Sequence, residues 1–322
     1  MKPFEAQAYC NELSKKKQAF VFIVDYAVKQ AHVWRIADIP HDVLFSFPQF
    51  SNVTERVPSK HILIHSLFPI SKAAYIKSFE RVQSHIQQGN SFLVNLTAQT
   101  KIETDVSLLD IFHSAYAPYK LLYKNDFVVF SPEPFMSIQK KRIQTFPMKG
   151  TIDARIPYAK DKILNNKKEQ AEHATIVDLM RNDLSFVAQN VHVHRYRYVE
   201  QINSQSHSLL QVSSCITGEL KPHVQNKLGD IIFSMLPAGS ISGAPKLKTC
   251  EIISEVETHT RGFYTGVMGY FDGENLESAV MIRFIEQKNG SLYYKSGGGI
   301  TCQSSVDNEY LELIQKIYVP IY

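Results

Sequence analysis

The chain is 322 residues long, 44% hydrophobic and 20% charged, a balance that builds a sizeable core and excludes a disordered or fibrous protein. Its 35 basic and 31 acidic side chains leave a net charge of +4, too little to grip a nucleic acid or an acidic membrane surface. No apolar run is long enough to span a membrane, Met1 to Gln7 carry no export signal, and Cys10, Cys215, Cys250 and Cys302 form no C-x-x-C pair, so a cytoplasmic protein with free thiols is expected.

Residues 1–70 read as short strands and loops, with apolar runs at 19–24 and 61–68. His61 and His65 have the i, i+4 spacing of a helical metal site, but Ile62, Leu63 and Ile64 between them favour a strand, so both read as structural. From Ser71 the pattern turns helical: Tyr75, Phe79, Val82 and Ile86 form a stripe, Ser71 is the N-cap and Gly89 the stop. A strand over 91–97 carries Asn95, a helix covers 106–115, and 121–130 is a hairpin turning at Asn125-Asp126. It runs into Ser131-Pro132-Glu133-Pro134-Phe135, where two prolines exclude regular structure and fix the direction of Glu133.

A strand over 142–146 leads to Pro147-Met148-Lys149-Gly150-Thr151, read as a junction before a charged helical region that starts near Tyr158. Gly150 allows a ligand close to the backbone, and a lysine held there, partly desolvated, loses its proton readily and becomes a nucleophile. A helix over 166–183 places Glu169 and Glu172 on one face and Ile176, Leu179 and Met180 on the other. Strands follow at 191–199, where His192 and His194 share a face and read as structural, and at 209–220.

After a helix over 227–235, the loop from Pro237 to Lys246 is glycine-rich but lacks the G-x-x-x-x-G-K-[ST] spacing. The loop therefore suits a nucleotide poorly, whereas an anion facing its amides or hydroxyls is a reasonable ligand. Strands at 262–271, 279–287 and 292–296 form a meander, with Arg283 buried in the second. Gly297, Gly298 and Gly299 form an amide-rich turn suited to a carboxylate, and a helix over 306–317 carries Glu309 and Glu312 one turn apart. No linker or repeat divides the chain, which reads as one domain over 1–322, with 1–70 completing the sheets of a core at 71–322.

Four carboxylates from two helices supply the oxygen ligands that Mg²⁺ prefers, and the glycine amides with Arg283 suit a second anionic group. The constellation fits a small dianionic substrate with a lysine and a glutamic acid at its reacting carbons.

These segments resemble, in order and in wording, the chorismate-utilising enzymes: anthranilate synthase, isochorismate and salicylate synthases, and aminodeoxychorismate synthase component I. The resemblance rests on Gln88-Gly89 through Leu96, Ser131 to Phe135, Pro147 to Thr151, Ile176 to Leu184, Pro237 to Lys246, Arg261 to Gly266, and Ser296 to Ile300 through Glu309 to Glu312. It covers residues 71–322 and implies an α+β fold, two large antiparallel-rich sheets packed as a sandwich and flanked by helices. Lys149 selects the branch within this family, because anthranilate and isochorismate synthases usually have alanine there and aminodeoxychorismate synthases have lysine.

That branch implies Mg²⁺-dependent amination of chorismate at C4, on the way to para-aminobenzoate and folate. The resemblance implies that Lys149 adds to the ring at C2 as the C4 hydroxyl leaves, with Glu133 as general acid. It further implies that Glu172 and Glu312 hold Mg²⁺ directly and Glu169 and Glu309 hold it through water. Tyr264 and Arg283 would bind the enolpyruvyl carboxylate, Gly297 to Gly299 the ring carboxylate, with Ser242 and Thr151 as further substrate contacts. The partners implied are chorismate, a separate glutamine amidotransferase subunit that supplies ammonia and a separate downstream lyase, with neither nucleic acid nor membrane.

Three positions depart from the family pattern: Leu93 stands for Gln or Lys, Gln211 for a histidine, and Ser242 for threonine. The alternatives are an anthranilate-type synthase, which Lys149 opposes, and a catalytically weak chorismate-binding subunit, which Leu93 and Gln211 motivate. No Leu-Leu-Glu-Ser motif is present, so no tight tryptophan site is expected.

Overall fold

The computed structural model describes residues 1–54, 60, 62–203 and 208–320. Helix α1 (Pro3–Lys15) leads into β1 (Phe20–Val24), β2 (Ala31–Arg35), β3 (Val43–Ser46) and β4 (Ser66–Phe68). Helix α2 (Lys72–Gln87) precedes the long β5 (Leu93–Glu103), and α3 (Leu108–Ser114) precedes the hairpin of β6 (Tyr119–Tyr123) and β7 (Phe127–Ser131). Next come β8 (Pro134–Gln139), β9 (Arg142–Thr145) and β10 (Met148–Asp153), then α4 (Ala159–Asn165) and α5 (Lys167–Val187). The pair β11 (Ala188–Asn203) and β12 (Ser208–Leu220) is followed by α6 (Leu228–Ser234), β13 (Gly243–Ala244) and α7 (Lys246–Val256). The chain ends with β14 (Val267–Phe271), β15 (Leu276–Val280), β16 (Phe284–Lys288), β17 (Ser291–Ile300) and α8 (Val306–Gln315).

These strands form two antiparallel sheets. The first runs β10-β12-β9-β8-β15-β14-β1-β2, with β11 on the other flank of β12; the second runs β13-β5-β17-β16-β7-β6-β3, with β4 on β5. Strand β1 shows how the layers stack. All five of its residues are buried, because alternate side chains enter different cores. Phe20, Phe22 and Val24 join Cys10 and Leu13 of α1, Ile176 and Met180 of α5 and Ile231 of α6. Val21 and Ile23 point the other way, to Phe45, Leu121, Val129 and Phe284 of the second sheet. The far face of the second sheet is covered at one end by Ile111 and Phe112 of α3, and at the other by Phe79 of α2, Ile252 of α7 and Leu313 of α8. Each such side chain, fully buried, stabilises by roughly 1.5–3 kcal/mol. The α+β sandwich flanked by helices is therefore the observed architecture.

Local signals were mostly sound. The Ser71 hydroxyl caps α2 by accepting the Ala74 N–H at 3.3 Å, and Gly89 stops the chain with φ +76°. Five expectations need correction. The stretch around Lys149 is not a junction but part of β10, which pairs with β12. The glycine run is not a turn either: it is the end of β17, in register with Thr97, Leu96 and Asn95 of β5. The strand expected over 262–271 begins only at Val267, after a turn. The strand expected over 61–68 is limited to Ser66–Phe68, and His61 lies outside the described residues.

The strand expected over 279–287 is in fact two strands in different sheets, β15 and β16. Arg283 sits at the break in left-handed backbone, φ +53°, outside the extended region of a regular strand. The chain also changes sheet between β7 and β8, at Pro132-Glu133. The two crossings lie side by side, for the Val280 N–H donates to the Glu133 carbonyl at 3.0 Å and the Phe130 N–H to the Arg283 carbonyl at 3.1 Å. Among the described residues, no helix is long and apolar enough to cross a membrane.

Candidate active site

The carboxylates come first, because two helix starts position them. Glu169 lies in the first turn of α5, where its N–H donates to the Asn166 cap at 3.1 Å, and Glu172 follows one turn later. Glu309 lies in the first turn of α8 and Glu312 one turn on. Helix N-termini carry partial positive charge, so both ends tolerate carboxylates that packing then buries. The glycines of β17 let these helices close on the strand. A Cβ at Gly298 would stand 3.3 Å from Glu312 Oε1 and 3.5 Å from Glu309 Oε2; one at Gly299 would stand 3.5 Å from Glu172 Oε2.

Lys149 joins the same place from β10. Its ammonium is 3.7 Å from Glu172 Oε2 and would be 2.9 Å from a Cβ on Gly299. On the next residue, a Cβ at Gly150 would stand 3.1 Å from Glu169 Oε2. The sheets therefore approach each other at the ends of β10 and β17, with both pairs of carboxylates around the approach. Beyond Lys295, β16 no longer flanks β17, so among the described residues that edge of Gly297 to Gly299 has no partner strand. The Gly297 carbonyl is taken by Lys316 at 2.8 Å, and the remaining backbone groups on that edge are open to a ligand.

Glu133 reaches the cluster from the sheet crossing. Its carboxyl is raised above the usual range by burial, an effect that the Ser240 hydroxyl, donating to Oε1 at 2.6 Å, and the charges of Lys149, Lys316 and Arg283 only partly offset. A carboxyl set this way holds a proton more readily than one in water, as a general acid must. Tyr264 is buried against Phe284, and burial pushes its phenol up; Arg283 and Glu133 are among the charges it feels. The Arg283 guanidinium lies over the Tyr318 ring, 5.0 Å from its centre.

Lysines that the sequence reading passed over complete the charge balance. Lys168 donates to Glu309 Oε1 at 2.6 Å and lies 3.5 Å from Glu172 Oε1; Lys316 pairs with Glu312 at 2.6 Å and donates to the Gly297 carbonyl at 2.8 Å. Burial would raise Glu312, but Lys316, with Lys149 and Lys168 behind it, holds its carboxyl below the usual range. Glu169 is pushed up, by burial and then by Glu172. Glu172 Oε1 is buried and has no hydrogen-bond partner among the described residues. Among the described residues, no three His, Cys, Asp or Glu side chains converge as ligands of one ion. Ammonium groups stand among the carboxylates instead.

Several expected residues lie elsewhere. The Ser242 hydroxyl is turned into its own loop, donating to the Ala238 carbonyl at 3.0 Å, and its neighbour Ser240 is the one that meets Glu133. Thr151 is exposed on β10 opposite Gln211. Gln211 itself lines a groove of ≈ 1690 Å³ with Met148 and Tyr198. Leu93 is buried, its Cδ1 3.7 Å from a Cβ position on Gly299, so it walls the site with hydrocarbon. Behind the cluster, His173 Nε2 and Ser214 Oγ lie 2.6 Å apart, tying α5 to β12, and burial, with Arg197 and Lys149, lowers the imidazole to about 4. Lys246 pairs with Asp183 at 2.7 Å and fastens the glycine-rich loop to α5. Of these, Ser240 carries no signal beyond its place in that loop. Lys168 and Lys316 could have been found as cations at helical spacing from the carboxylates they meet.

A double-sheet sandwich with a lysine, a raised glutamic acid and two helix-borne carboxylate pairs at one edge is the arrangement of an enzyme for a small anionic substrate. Residues 14–321 match the family described as chorismate binding enzyme, and the chain belongs to it. An uncharacterized PabA-like protein of Pasteurella multocida (strain Pm70) is 49% identical over 314 residues, 97% of this chain and 97% of that one. Aminodeoxychorismate synthase component 1 of Klebsiella aerogenes is 32% identical over 77% of this chain, which spans 57% of its length. Anthranilate synthase component 1 of Arthrobacter globiformis is also 32% identical over 77% of this chain, which spans 49% of its length. In structure, the menaquinone-specific isochorismate synthase of Escherichia coli covers 98% of this chain with a TM-score of 0.77 at 16% identity, a likeness of fold.

Proposed function

We propose that this enzyme replaces the C4 hydroxyl of chorismate with an amino group, using Lys149 as nucleophile and Glu133 as general acid. The observation that carries the reading is the position of Lys149, whose ammonium lies against Gly299 and Glu172 and within the field of Glu133. The unprotonated Lys149 amine forms a bond to ring C2, the double bond shifts, and the C4 hydroxyl leaves as water on taking the proton of Glu133. Ammonia then forms a bond at C4 and the lysine amine departs from C2; the ionised Glu133 takes the surplus proton. Chorismate and ammonia thus give 4-amino-4-deoxychorismate and water, and Lys149 is regenerated. Arg283 and Tyr264 would orient the enolpyruvyl carboxylate, and the free edge of Gly297 to Gly299 the ring carboxylate.

The donor set fits Mg²⁺ in chemistry: four carboxylates, one of them with an orphaned buried oxygen, at the edge where the ring carboxylate would lie. Glu172 and Glu312 would be its direct ligands, Glu169 and Glu309 its outer partners. When bound it would supply positive charge to the substrate carboxylate. Ammonia would come from a separate glutamine amidotransferase subunit, and a separate lyase would act on the product.

A second reading, an anthranilate-type synthase, is favoured by the equal identity of the two kinds of relative. The test is product analysis with chorismate, Mg²⁺ and ammonium, with and without an added lyase. Amination at C4 and an adduct on Lys149 in trapped intact protein are expected, and Lys149→Ala should lose turnover by at least about a hundredfold while staying folded. Amination at C2 would establish the second reading; chorismate binding without turnover would leave a binding subunit.

A further inference from the structure

The orphaned oxygen of Glu172 and the ammonium beside it point to a cation exchange. Lys168 is the residue before Glu169 on α5, and its Nζ reaches across to α8, bonded to Glu309 at 2.6 Å and 3.5 Å from Glu172 Oε1. Both carboxylates are nearly sealed, at 5% and 2% side-chain exposure, yet Lys168 keeps 29%. Its stem has a path to water that theirs lack. It is near Glu172 without making a hydrogen bond to it, so the carboxylate oxygen is paired in charge and unsatisfied in geometry.

We propose that Lys168 is a resident counter-ion that holds the place of a divalent cation between α5 and α8, and that it swings out to solvent when that cation binds. This rests on the metal part of the reading above. The charge balance supports exchange over simple addition. In the resting state, before Lys149 gives up its proton, Glu169, Glu172, Glu309 and Glu312 face the ammonium groups of Lys149, Lys168 and Lys316, which leaves one net negative charge. Replacing one ammonium by a dication brings the place to neutrality, whereas adding a dication beside all three lysines overshoots it. Among these lysines, Lys149 lies against Gly299 and Lys316 is also tied to the Gly297 carbonyl, so Lys168 is the one whose departure disturbs the strand least. Without a cation there, two buried carboxylates on separate helices would face each other with only Lys149, 3.7 Å from Glu172, beside them, so the lysine also stabilises the metal-free protein.

The exchange makes predictions that a permanent salt bridge does not. Mg²⁺ titrations by calorimetry should show Lys168→Met binding Mg²⁺ roughly tenfold more tightly than the wild type, because no internal cation competes. Lys168→Arg, which keeps the charge, should bind no more tightly than the wild type. The melting temperature of Lys168→Met should fall without Mg²⁺ and recover with it. Should Lys168→Met not fold, Lys168→Gln is put through the same titration. Unchanged or weaker Mg²⁺ binding by the neutral variant, or an equal loss of melting temperature with and without Mg²⁺, would overturn the exchange and leave the metal reading standing. No Mg²⁺ heat from either wild type or variant would overturn both, while C4 amination could still be scored by product analysis.

Discussion

At the scale of one side chain, the general-acid role proposed for Glu133 is opposed to stability. Burial raises its folded-state pKa above the ordinary value of 4.5, so the folded protein holds this proton more tightly than the unfolded chain does. Its contribution to stability is complete below pH 4.5 and is lost as pH climbs through the raised value. Glu133→Gln should therefore melt a few degrees above the wild type at pH 8, with the gap closing towards pH 4.5, and should lose the acid-catalysed step. Ser240→Ala removes a bond that lowers this pKa, so the alkaline fall in wild-type activity should move to higher pH. Melting curves and pH–rate profiles check both; parallel curves for Glu133→Gln and wild type across that range would mean that the carboxyl is not strained by burial.

The glycines of β17 separate the two kinds of close approach. A Cβ on Gly299 would meet the Lys149 ammonium at 2.9 Å, the free end of a flexible side chain. A Cβ on Gly297 would run into the Leu96 carbonyl oxygen and stand 2.8 Å from Thr97 Cα, which are fixed backbone. Gly299→Ala is expected to keep its melting temperature and lose activity on the order of a hundredfold, by displacing Lys149, the nucleophile in the proposed reaction. Gly297→Ala is expected to lose about 1–3 kcal/mol of stability. Thermal melts and turnover of the two variants, side by side, test the distinction.

At the scale of elements, the site depends on two helices starting where a strand made of glycine ends. Each helix offers a carboxylate pair at i, i+3, and the pairs meet because α8 follows β17 directly while α5 packs on β10 and β12. If that meeting builds the metal site, Glu172→Gln and Glu312→Gln should each raise the Mg²⁺ concentration for half-maximal turnover at least about tenfold. Identical Mg²⁺ titrations for both variants and the wild type would show that the helices serve packing alone. The departures from the family pattern also take their meaning from elements. Leu93 packs as a wall because β5 turns it inward, and Gln211 lines the groove beside Met148 because β12 alternates its side chains.

Over the whole molecule, Arg261 holds together parts far apart in sequence. It bonds Glu257 at 2.6 and 2.8 Å, the Asn95 carbonyl of β5 at 2.6 Å and the Ile241 carbonyl of the glycine-rich loop at 2.9 Å, with its guanidinium 4.4 Å from the Tyr26 ring centre. Arg261→Met leaves the Glu257 charge buried with only the Thr97 N–H and hydroxyl donating to it, and should cost about 3–5 kcal/mol, a fall in melting temperature on the order of 10 °C. Adding Glu257→Gln should recover part of that loss, since the stranded charge goes with it. A single variant as stable as the wild type would show that the arginine is not a tie.

The sequence by itself determined what repeats locally. The stripe from Tyr75 to Ile86, the cap at Ser71, the hairpin around Asn125 and the carboxylates one turn apart all follow from periods of 3.6 and 2 and from turn chemistry. Motif order further identified Lys149, Glu133 and the four carboxylates as one set, although nothing local says that they meet. Tertiary structure alone decided three things. It placed Lys149 in β10 rather than a turn, because β12 supplies the missing ladder partner. It divided an apparently continuous strand at Arg283 between two sheets, because each half finds its neighbours in a different layer. It set Ser240 on Glu133 and Lys168 between Glu172 and Glu309, contacts spanning 107 and 141 residues of chain in the case of Glu133 and Glu309. A buried charge is settled by whichever opposite charge or donor the packing brings within reach, and no window of local sequence contains that partner.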